Sequence, residues 1–152
     1  MIYSYPDYYK KFRCIADKCP DTCCSDWQIV IDDESLEKYR NYAGEYRQTL
    51  HRNIQWEEGV FGHNRKGKCA FLRDDGLCDM YKHMGKDSLC TTCREYPRHT
   101  EEFENIREIS LSLSCPEVAR ILMQKTEPVT FVCEEDDEEE VFEDYDYFLF
   151  SN

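Results

Sequence analysis

Apolar residues recur with a helical period in the first half of the chain. Five of them stand three or four positions apart, at Leu36, Tyr39, Ala43, Tyr46 and Leu50. This spacing puts them on one side of a helix, so the pattern predicts a helix over residues 34–53 with a single core face. Asp32 or Asp33 precedes that helix, and either offers the side-chain oxygen that an N-cap requires.

Shorter apolar stretches predict extended segments and one further helix. Residues 27–31 are apolar and β-branched, which indicates a buried extended segment. Apolar residues alternate with serines over residues 109–114, a pattern typical of a strand, and residues 129–133 indicate a last extended segment. Pro116 suits the first turn of a helix, so we expect a helix from Pro116 to about Gln124.

Turn signals place the remaining elements. Asp75-Gly76 is a strong hairpin signal, and it brings the flanking Cys69 and Cys78 close together. Residues 77–84 predict a short helix that Gly85 ends. The whole pattern predicts an α+β fold, mainly helical with short strands or hairpins, in a small Cys-rich domain that a metal stabilises. We expect this domain to span residues 1–133, with residues 134–152 as an acidic and aromatic connector or the start of a further C-terminal region.

The net charge of −13 is concentrated near the C-terminus. Residues 134–146 contain ten acids and no Lys or Arg, which leaves 19 basic and 22 acidic residues, or −3, for residues 1–133. Because this body has no basic face, we expect no nucleic-acid partner. No apolar run approaches the length of a membrane span, and the N-terminus lacks the pattern of a signal peptide. We therefore expect no membrane partner and a cytoplasmic location, whereas the oligomeric state stays open.

Cysteine is the residue type that most directly indicates chemistry. In a reducing compartment, clustered cysteines point to metal binding or redox chemistry more than to disulfides. Nine of the ten cysteines form two sets, and Cys133 stands apart from both. We predict as metal ligands the first set, Cys14, Cys19, Cys23 and Cys24, and the second, Cys69, Cys78, Cys90, Cys93 and Cys115.

The spacings within these sets leave the metal open. Cys90 and Cys93 have the separation that lets two sulfurs bind one ion, while the adjacent Cys23 and Cys24 more easily serve two centres, unless one of them only packs. Cys115 is expected at a helix N-terminus, a position that lowers a thiol pKa. Two four-cysteine zinc sites, or one iron–sulfur cluster with a zinc site or spare thiols, would both fit. A radical-generating cluster is disfavoured because Asp26 occupies its third cysteine position.

The residues around the cysteines complete a recognisable pattern. Its motifs are Phe12-Arg-Cys14, Cys19-Pro-Asp-Thr-Cys23-Cys24, Cys69-Ala-Phe-Leu, Gly76-Leu-Cys78, Leu89-Cys90-Thr-Thr-Cys93-Arg-Glu-Tyr-Pro97 and Ser114-Cys115-Pro-Glu. In order and spacing, over about residues 12–122, they resemble the flagellin lysine-N-methylase family, within a wider grouping of Cys-rich domains associated with zinc or iron. Family members are longer, so the resemblance implies a fragment or a short member.

The resemblance implies both an activity and its cofactors. It implies methylation of lysines on a flagellin-like protein substrate, with S-adenosylmethionine as the methyl donor and a [4Fe–4S] cluster, alternatively zinc, as the metal centre. Such chemistry needs a proton acceptor beside the lysine amine. The candidates beside the cysteine stretches are Glu95, Tyr96, Glu108 and Glu117, each of which could equally be a surface or capping residue. Arg94 and Arg98 could bind the cofactor carboxylate or stabilise the stretch around Cys90 and Cys93. The competing hypothesis is a non-catalytic iron–sulfur or zinc module.

Overall fold

The computed structural model describes residues 1–135 and gives an α+β domain. Its elements run in the order β1 (Ile2–Pro6), α1 (Asp33–Asn41), α2 (Arg47–Arg52), β2 (Ile54–Gln55), β3 (Val60–Phe61), α3 (Asp79–Met84), α4 (Thr91–Glu95), β4 (Arg98–Phe103), β5 (Ile106–Leu111), α5 (Pro116–Met123) and β6 (Phe131–Glu135). The predicted α+β class is confirmed. Residues 136–152, which carry most of the predicted connector, lie outside the described residues.

A four-stranded sheet joins the two ends of the described chain. Its strand order is β4-β5-β1-β6, with β1 parallel to β5 and antiparallel to β6, and with β4 and β5 forming an antiparallel hairpin. The predicted strand over 109–114 is therefore misplaced, because β5 ends at Leu111. Beyond it, the Ser112 hydroxyl accepts a hydrogen bond from the Ser114 N–H and turns the chain toward α5.

The single helix predicted over residues 34–53 is wrong, because two helices occupy this stretch. Helix α1 ends where Tyr42 adopts an extended backbone, and the Arg47 guanidinium donates to the Tyr42 carbonyl at 2.6 Å. The Tyr42 ring passes so close to Gly44 that a Cβ there would collide with it. Of the five predicted core positions, Tyr39 and Leu50 are fully buried, Leu36 and Tyr46 are half-buried, and Ala43 is exposed between the helices. The predicted core face is therefore confirmed at its two ends and wrong at the break, which the period did not reveal.

Other local predictions hold with small adjustments. Helix α5 begins at Pro116 as predicted, and α3 ends at Gly85, which has the positive φ of 82° that favours glycine. The Asp75-Gly76 turn closes a hairpin in which the Arg73 N–H donates to the Leu77 carbonyl at 2.9 Å.

The segment 27–31 was predicted to be buried, but only some of its residues are. Ile29 and Ile31 are in the core, but Trp27 is 39% and Val30 is 57% exposed. The segment alternates between core and solvent because it lies along the edge of β3, where Val30 makes one bridge to Val60. It is extended as expected, without being buried on both sides.

Two apolar cores organise the domain. The larger contains Ile29, Tyr39, Leu50, Phe61, Phe71 and Met80 together with several cysteines. The smaller lies between the sheet and α5, and contains Tyr8, Phe12, Leu111, Cys115 and Val118. None of the helices within residues 1–135 is long and apolar enough to span a lipid bilayer.

Candidate metal centre

Six of the nine predicted ligands pack in or against one of the two cores. Five of them pack in or against the larger core, namely Cys24, Cys69, Cys78, Cys90 and Cys93. We call these five residues the core sulfurs. Cys115 packs in the smaller core instead. All ten cysteines are free thiols, so no disulfide competes for these sulfurs.

Helix α1 and the segment before it bind the stretch that carries Cys90 and Cys93 at the beginning of α4. We call residues 90–93 the cysteine loop. The Thr92 hydroxyl donates to the Val30 carbonyl at 2.7 Å, and the Thr91 N–H donates to Asp32 Oδ2 at 2.8 Å. Asp32 Oδ1 also accepts the Ser35 N–H at 2.9 Å, which makes Asp32 the N-cap of α1. One carboxylate thus ties the beginning of a helix to the beginning of the cysteine loop.

The hairpin after β3 positions Cys69 and Cys78 beside Cys24. The Cys69 N–H donates to the Cys24 carbonyl at 2.8 Å, which attaches the first cysteine stretch to the second. Leu72 forms a bridge with Cys78 across the hairpin, and the Asp79 N–H donates to the Phe71 carbonyl at 2.7 Å. Phe71 is itself 2% exposed, so the hairpin is anchored by a core side chain.

The adjacent Cys23 and Cys24 occupy different environments. Cys24 packs against the larger core, whereas Cys23 is exposed. A hydrogen bond from the Cys24 thiol lowers the pKa of Cys23 to about 7 and raises the pKa of Cys24. The Cys23 carbonyl also accepts the Trp27 indole N–H at 2.8 Å. The pair therefore has one residue on each side of the core boundary.

Burial and mutual repulsion govern the acidity of the core sulfurs. Burial, reinforced by the Cys78 and Cys90 thiolates, raises the pKa of Cys69 to about 11. The Cys90 thiolate accepts a hydrogen bond from Cys93, which lowers the pKa of Cys90 and raises that of Cys93. Several buried thiolates without a cation repel one another, and a metal ion is the group that removes this repulsion.

This donor set fits a thiolate-bound metal. Soft sulfur ligands favour zinc or an iron–sulfur cluster, and five of them from three chain segments meet in one apolar core. Within residues 1–135, no three His, Cys, Asp or Glu side chains already stand as ligands around a single point. The structure thus brings the core sulfurs into one neighbourhood without defining which four would bind.

A second group of cysteines lies around α5. The Cys19 and Cys14 thiolates are close enough to contribute to the raised pKa of Cys115. Our prediction that the helix N-terminus would lower the pKa of Cys115 is wrong. Burial is the largest influence on this pKa, and together with Cys19 and Cys14 it outweighs the N–H groups of Val118 and Glu117, which lower the pKa.

The predicted catalytic and cofactor residues are not gathered in one place. Tyr96 is the one that lies among cysteines: Cys115, Cys23 and Cys19 add to the burial that raises its pKa, and its hydroxyl lies 3.0 Å from Ser114 Oγ. Its ring also stacks on Trp27 with centroids 5.8 Å apart. Glu95 is exposed beside Arg94, with 3.4 Å between the carboxylate and the guanidinium.

The remaining candidates have partners or positions of their own. Glu117 is buried and binds the Arg120 guanidinium with both carboxylate oxygens, at 2.5 and 2.7 Å. Glu108 lies on β5, exposed on the sheet. Arg98 begins β4 and stacks over the Phe12 ring at 5.3 Å, which makes it a brace of the smaller core.

His51, His63 and Cys133 are also of residue types that bind metals, but the structure gives each of them another partner or position. His51 donates its Nε2 hydrogen to the Tyr39 carbonyl at 3.0 Å, and His63 donates to the Trp27 carbonyl at 2.9 Å. Cys133 is exposed on β6. Asp32 is the site residue whose full role the sequence did not predict. Its N-cap role was expected, but its hydrogen bond to Thr91 joins positions 59 residues apart.

The chain matches known proteins along most of its length. Residues 13–116 match the family model described as "CxxCxxCC: Putative zinc- or iron-chelating domain". The lysine-N-methylases of Salmonella typhimurium strain LT2 and Salmonella choleraesuis are 34% identical over 127 residues, which cover 77% of this chain and 31% of each relative. The flagellar biosynthetic protein FliU of Salmonella muenchen is 34% identical over 127 residues, covering 77% of this chain and 75% of FliU. No solved structure matches the chain.

Proposed function

The chain belongs to the CxxCxxCC family, to which the lysine-N-methylases are related, and we propose on this premise that it carries the cysteine-ligated metal centre of a protein lysine N-methylation activity. The observation that carries the proposal is the meeting of five cysteines from three chain segments in one core without a disulfide. The chain spans about a third of the length of the two methylases, 31% of each, so activity of the whole protein belongs to this proposal.

We assign the main centre to the core sulfurs. Cys90 and Cys93 supply two ligands from one loop, and two of Cys24, Cys69 and Cys78 supply the others. Four thiolates suit a [4Fe–4S] cluster, with zinc as the alternative, and the bound metal supplies the positive charge that buried thiolates need. The other four proposed ligands lie outside the core sulfurs: Cys14, Cys19 and Cys115, together with the exposed Cys23 beside Cys24.

The proposed reaction transfers a methyl group from S-adenosylmethionine to a lysine of a flagellin-like protein. The cofactor, when bound, would supply the methyl group from its sulfonium and leave as the neutral thioether, and a base of the protein would take the proton that the lysine ammonium loses. The raised pKa of Tyr96 keeps its phenol protonated at neutral pH, so its role here is to hold a hydrogen bond. The exposed Glu95 next to it is the carboxylate that we favour as the proton acceptor.

A specific observation favours a second function for this chain taken alone. Tyr96, Glu108 and Glu117 occupy three different environments: Tyr96 lies beside Ser114, Glu108 is exposed on β5, and Glu117 is paired with Arg120. A non-catalytic metal module that holds the fold and positions the catalytic part of a longer protein requires none of them to meet. This alternative keeps the same metal centre and differs only in the source of the active site.

Metal analysis of anaerobically purified protein tests the proposed centre. We expect iron and acid-labile sulfide with thiolate-to-iron absorption bands, or stoichiometric zinc without colour in the alternative. Cys90→Ser should lower the metal content, whereas the matched control Cys133→Ser, at an exposed thiol on β6, should keep it. Equal metal loss from both variants, or metal-free wild-type protein, contradicts the assignment.

Calorimetry with S-adenosylmethionine separates the two functions. The methylation proposal expects metal-loaded protein to bind the cofactor and to transfer its radiolabelled methyl group to flagellin. Metal-loaded protein that binds no cofactor and transfers no methyl group would assign the chain to the module. Glu95→Gln, with Glu57→Gln as an exposed control, tests the favoured base by the pH dependence of the transfer rate.

A further inference from the structure

The four-stranded sheet has one covered face and one open face. In its registers, Tyr3 lies beside Arg107 and Glu134, so these side chains share a face. Residues 8–12 cover that face: the Lys10 ammonium lies 5.0 Å from the Tyr5 ring centroid and 2.6 Å from Glu134. The opposite face bears nine exposed residues, which we call the open face: His99, Glu101, Phe103, Ile106, Glu108, Ser110, Phe131, Cys133 and Glu135.

The two faces differ in charge. On the covered face, Glu102 pairs with Arg107 at 2.9 Å and Glu134 pairs with Lys10 at 2.6 Å. The open face contains three glutamates and no Lys or Arg. Glu101 accepts a hydrogen bond from His99, but within residues 1–135 no hydrogen bond or ion pair engages the carboxylate of Glu108 or Glu135. These carboxylates are therefore available to a cationic partner.

Apolar side chains lie among these carboxylates. Phe103 is 52% exposed and Phe131 is 69% exposed. Phe103 pairs with Ile106 across β4 and β5, and Ile2 of β1 pairs with both Ile106 and Glu135, so these apolar residues and Glu135 are neighbours at one end of the sheet. Phe131 pairs with Pro6 of β1 and lies toward the other end of the same face. Exposed aromatic side chains interspersed with charges of one sign are typical of an interaction surface.

We propose that the open face is the docking surface for the lysine-bearing segment of the protein substrate. Carboxylates attract lysine ammonium groups and repel nucleic acids and anionic lipids, while the two phenylalanines and Ile106 pack against apolar residues or lysine stems. A second copy of the chain would bring like charges together. This inference rests on the proposed lysine-directed function, and it gives Glu108 a binding role on the sheet.

The face is also continuous with the candidate metal centre. Strand β4, which carries His99, Glu101 and Phe103, begins at Arg98, directly after the loop and helix that hold Cys90 and Cys93. The Ser112 N–H donates to the Pro97 carbonyl at 2.8 Å and fixes the end of β5 against this connection. A segment bound along the sheet therefore lies on strands attached to the cysteine loop.

Charge reversal tests this surface against a matched control. The double variant Glu108→Lys/Glu135→Lys reverses the unpaired charges of the open face, and Glu57→Lys/Glu58→Lys makes the same change in net charge in the exposed connection between β2 and β3. We measure binding of purified flagellin, and of a synthetic peptide alternating Lys with Leu, to metal-loaded protein at low and high salt. Phe131→Ser provides a variant that keeps the charge.

We expect the open-face variant to weaken binding of both probes about tenfold at low salt, with a smaller loss at high salt, and the control to stay within about twofold of wild type. Phe131→Ser should weaken binding at both salt concentrations, because packing is not screened. All variants should keep the wild-type metal content and melting temperature, which shows that they fold.

The alternative outcomes separate this inference from the proposed function. Equal losses in the open-face and control variants, or unchanged binding in both, overturn the docking surface while leaving lysine methylation in place. If wild-type protein does not bind flagellin but binds the peptide through the open face, flagellin is not the substrate and the docking surface is supported. Wild-type dimers that the open-face variant abolishes assign the face to a second copy and overturn the inference, as does wild-type protein that binds neither probe.

Discussion

Asp32 is the residue through which a small change should disturb both the fold and the metal centre. Its carboxylate accepts the Ser35 N–H at the start of α1 with one oxygen and the Thr91 N–H beside Cys90 with the other. Asn at this position retains one carbonyl oxygen and can satisfy only one of these donors. Asp32→Asn therefore leaves one N–H without its charged acceptor, and Asp32→Ala leaves both.

The pKa of Asp32 sets the size of the effect. Burial alone would raise this pKa, but the hydrogen bonds from Thr91 and Ser35 outweigh it and lower the pKa from 3.8 to about 2. That difference corresponds to at most about 2.5 kcal/mol of folding free energy. Because the carboxylate is only partly buried, solvent screening reduces this to about 1 kcal/mol. Loss of the N-cap in the alanine variant adds about 1 kcal/mol.

The sign of the pH dependence follows from the lowered pKa. The stabilisation is fully present above the unfolded pKa of 3.8 and is lost as the pH falls toward about 2. Wild-type protein should therefore lose about 1 kcal/mol more than Asp32→Asn between about pH 5 and pH 2. Asp33→Asn is the control, because Asp33 is exposed in the first turn of the same helix.

Urea unfolding at several pH values and at equal metal loading measures these differences. At pH 7 we expect Asp32→Asn to be about 1 kcal/mol and Asp32→Ala about 2 kcal/mol less stable than wild type, with Asp33→Asn within about 0.5 kcal/mol. Both Asp32 variants should also release metal to a chelator faster, since Thr91 adjoins Cys90. The reasoning would be refuted if Asp32→Asn matched Asp33→Asn in stability at pH 7, or if its acid sensitivity equalled that of wild type.

Three further predictions concern the core and its cysteines. Cys24→Ser should lower metal content and melting temperature more than Cys23→Ser, because only Cys24 packs with the core sulfurs; equal effects by elemental analysis contradict the division of the pair. Tyr39→Phe should cost about 1–2 kcal/mol in urea unfolding, because it leaves the buried Ser88 carbonyl without its 2.6 Å donor. Phe71→Ala should cost about 3–5 kcal/mol, and comparable loss in the exposed control Phe131→Ala would show that burial is not the cause.

Local signals accounted for the elements whose ends are chemically marked. Pro116 marks the start of α5 and Gly85 the end of α3, and both lie where the sequence predicted them. Each boundary depends on the backbone of one residue, which is restricted at Pro116 and unusually free at Gly85, so the residue type alone predicts it. The nine cysteines stay a prediction as ligands, and their spacing did not reveal that five of them pack with the larger core and Cys115 with the smaller one.

Nonlocal pairing explains what the sequence did not reveal. Strand β4 is charged and exposed along most of its length and has no apolar alternation, so its structure depends on pairing with β5. Strand β1 pairs with β5 across more than a hundred residues, and such long-range contacts leave no local pattern. The dual role of Asp32 was hidden for the same reason: the cap is local, but the bond to Thr91 exists only after the chain has folded.

The grouping of five cysteines at the larger core gives the proposed metal a structural role in this fold. The segments that carry the core sulfurs contain short helices and a hairpin, and α3 and α4 have only six and five residues. Helices of this length are not stable alone in water. Their positions therefore depend on the anchors shared at the core, namely Asp32, Phe71 and the sulfurs. In the proposed centre, a metal bound by those sulfurs would link the hairpin to the cysteine loop, and because β4 extends that loop into the sheet, it would stabilise the base of the open face as well as the core.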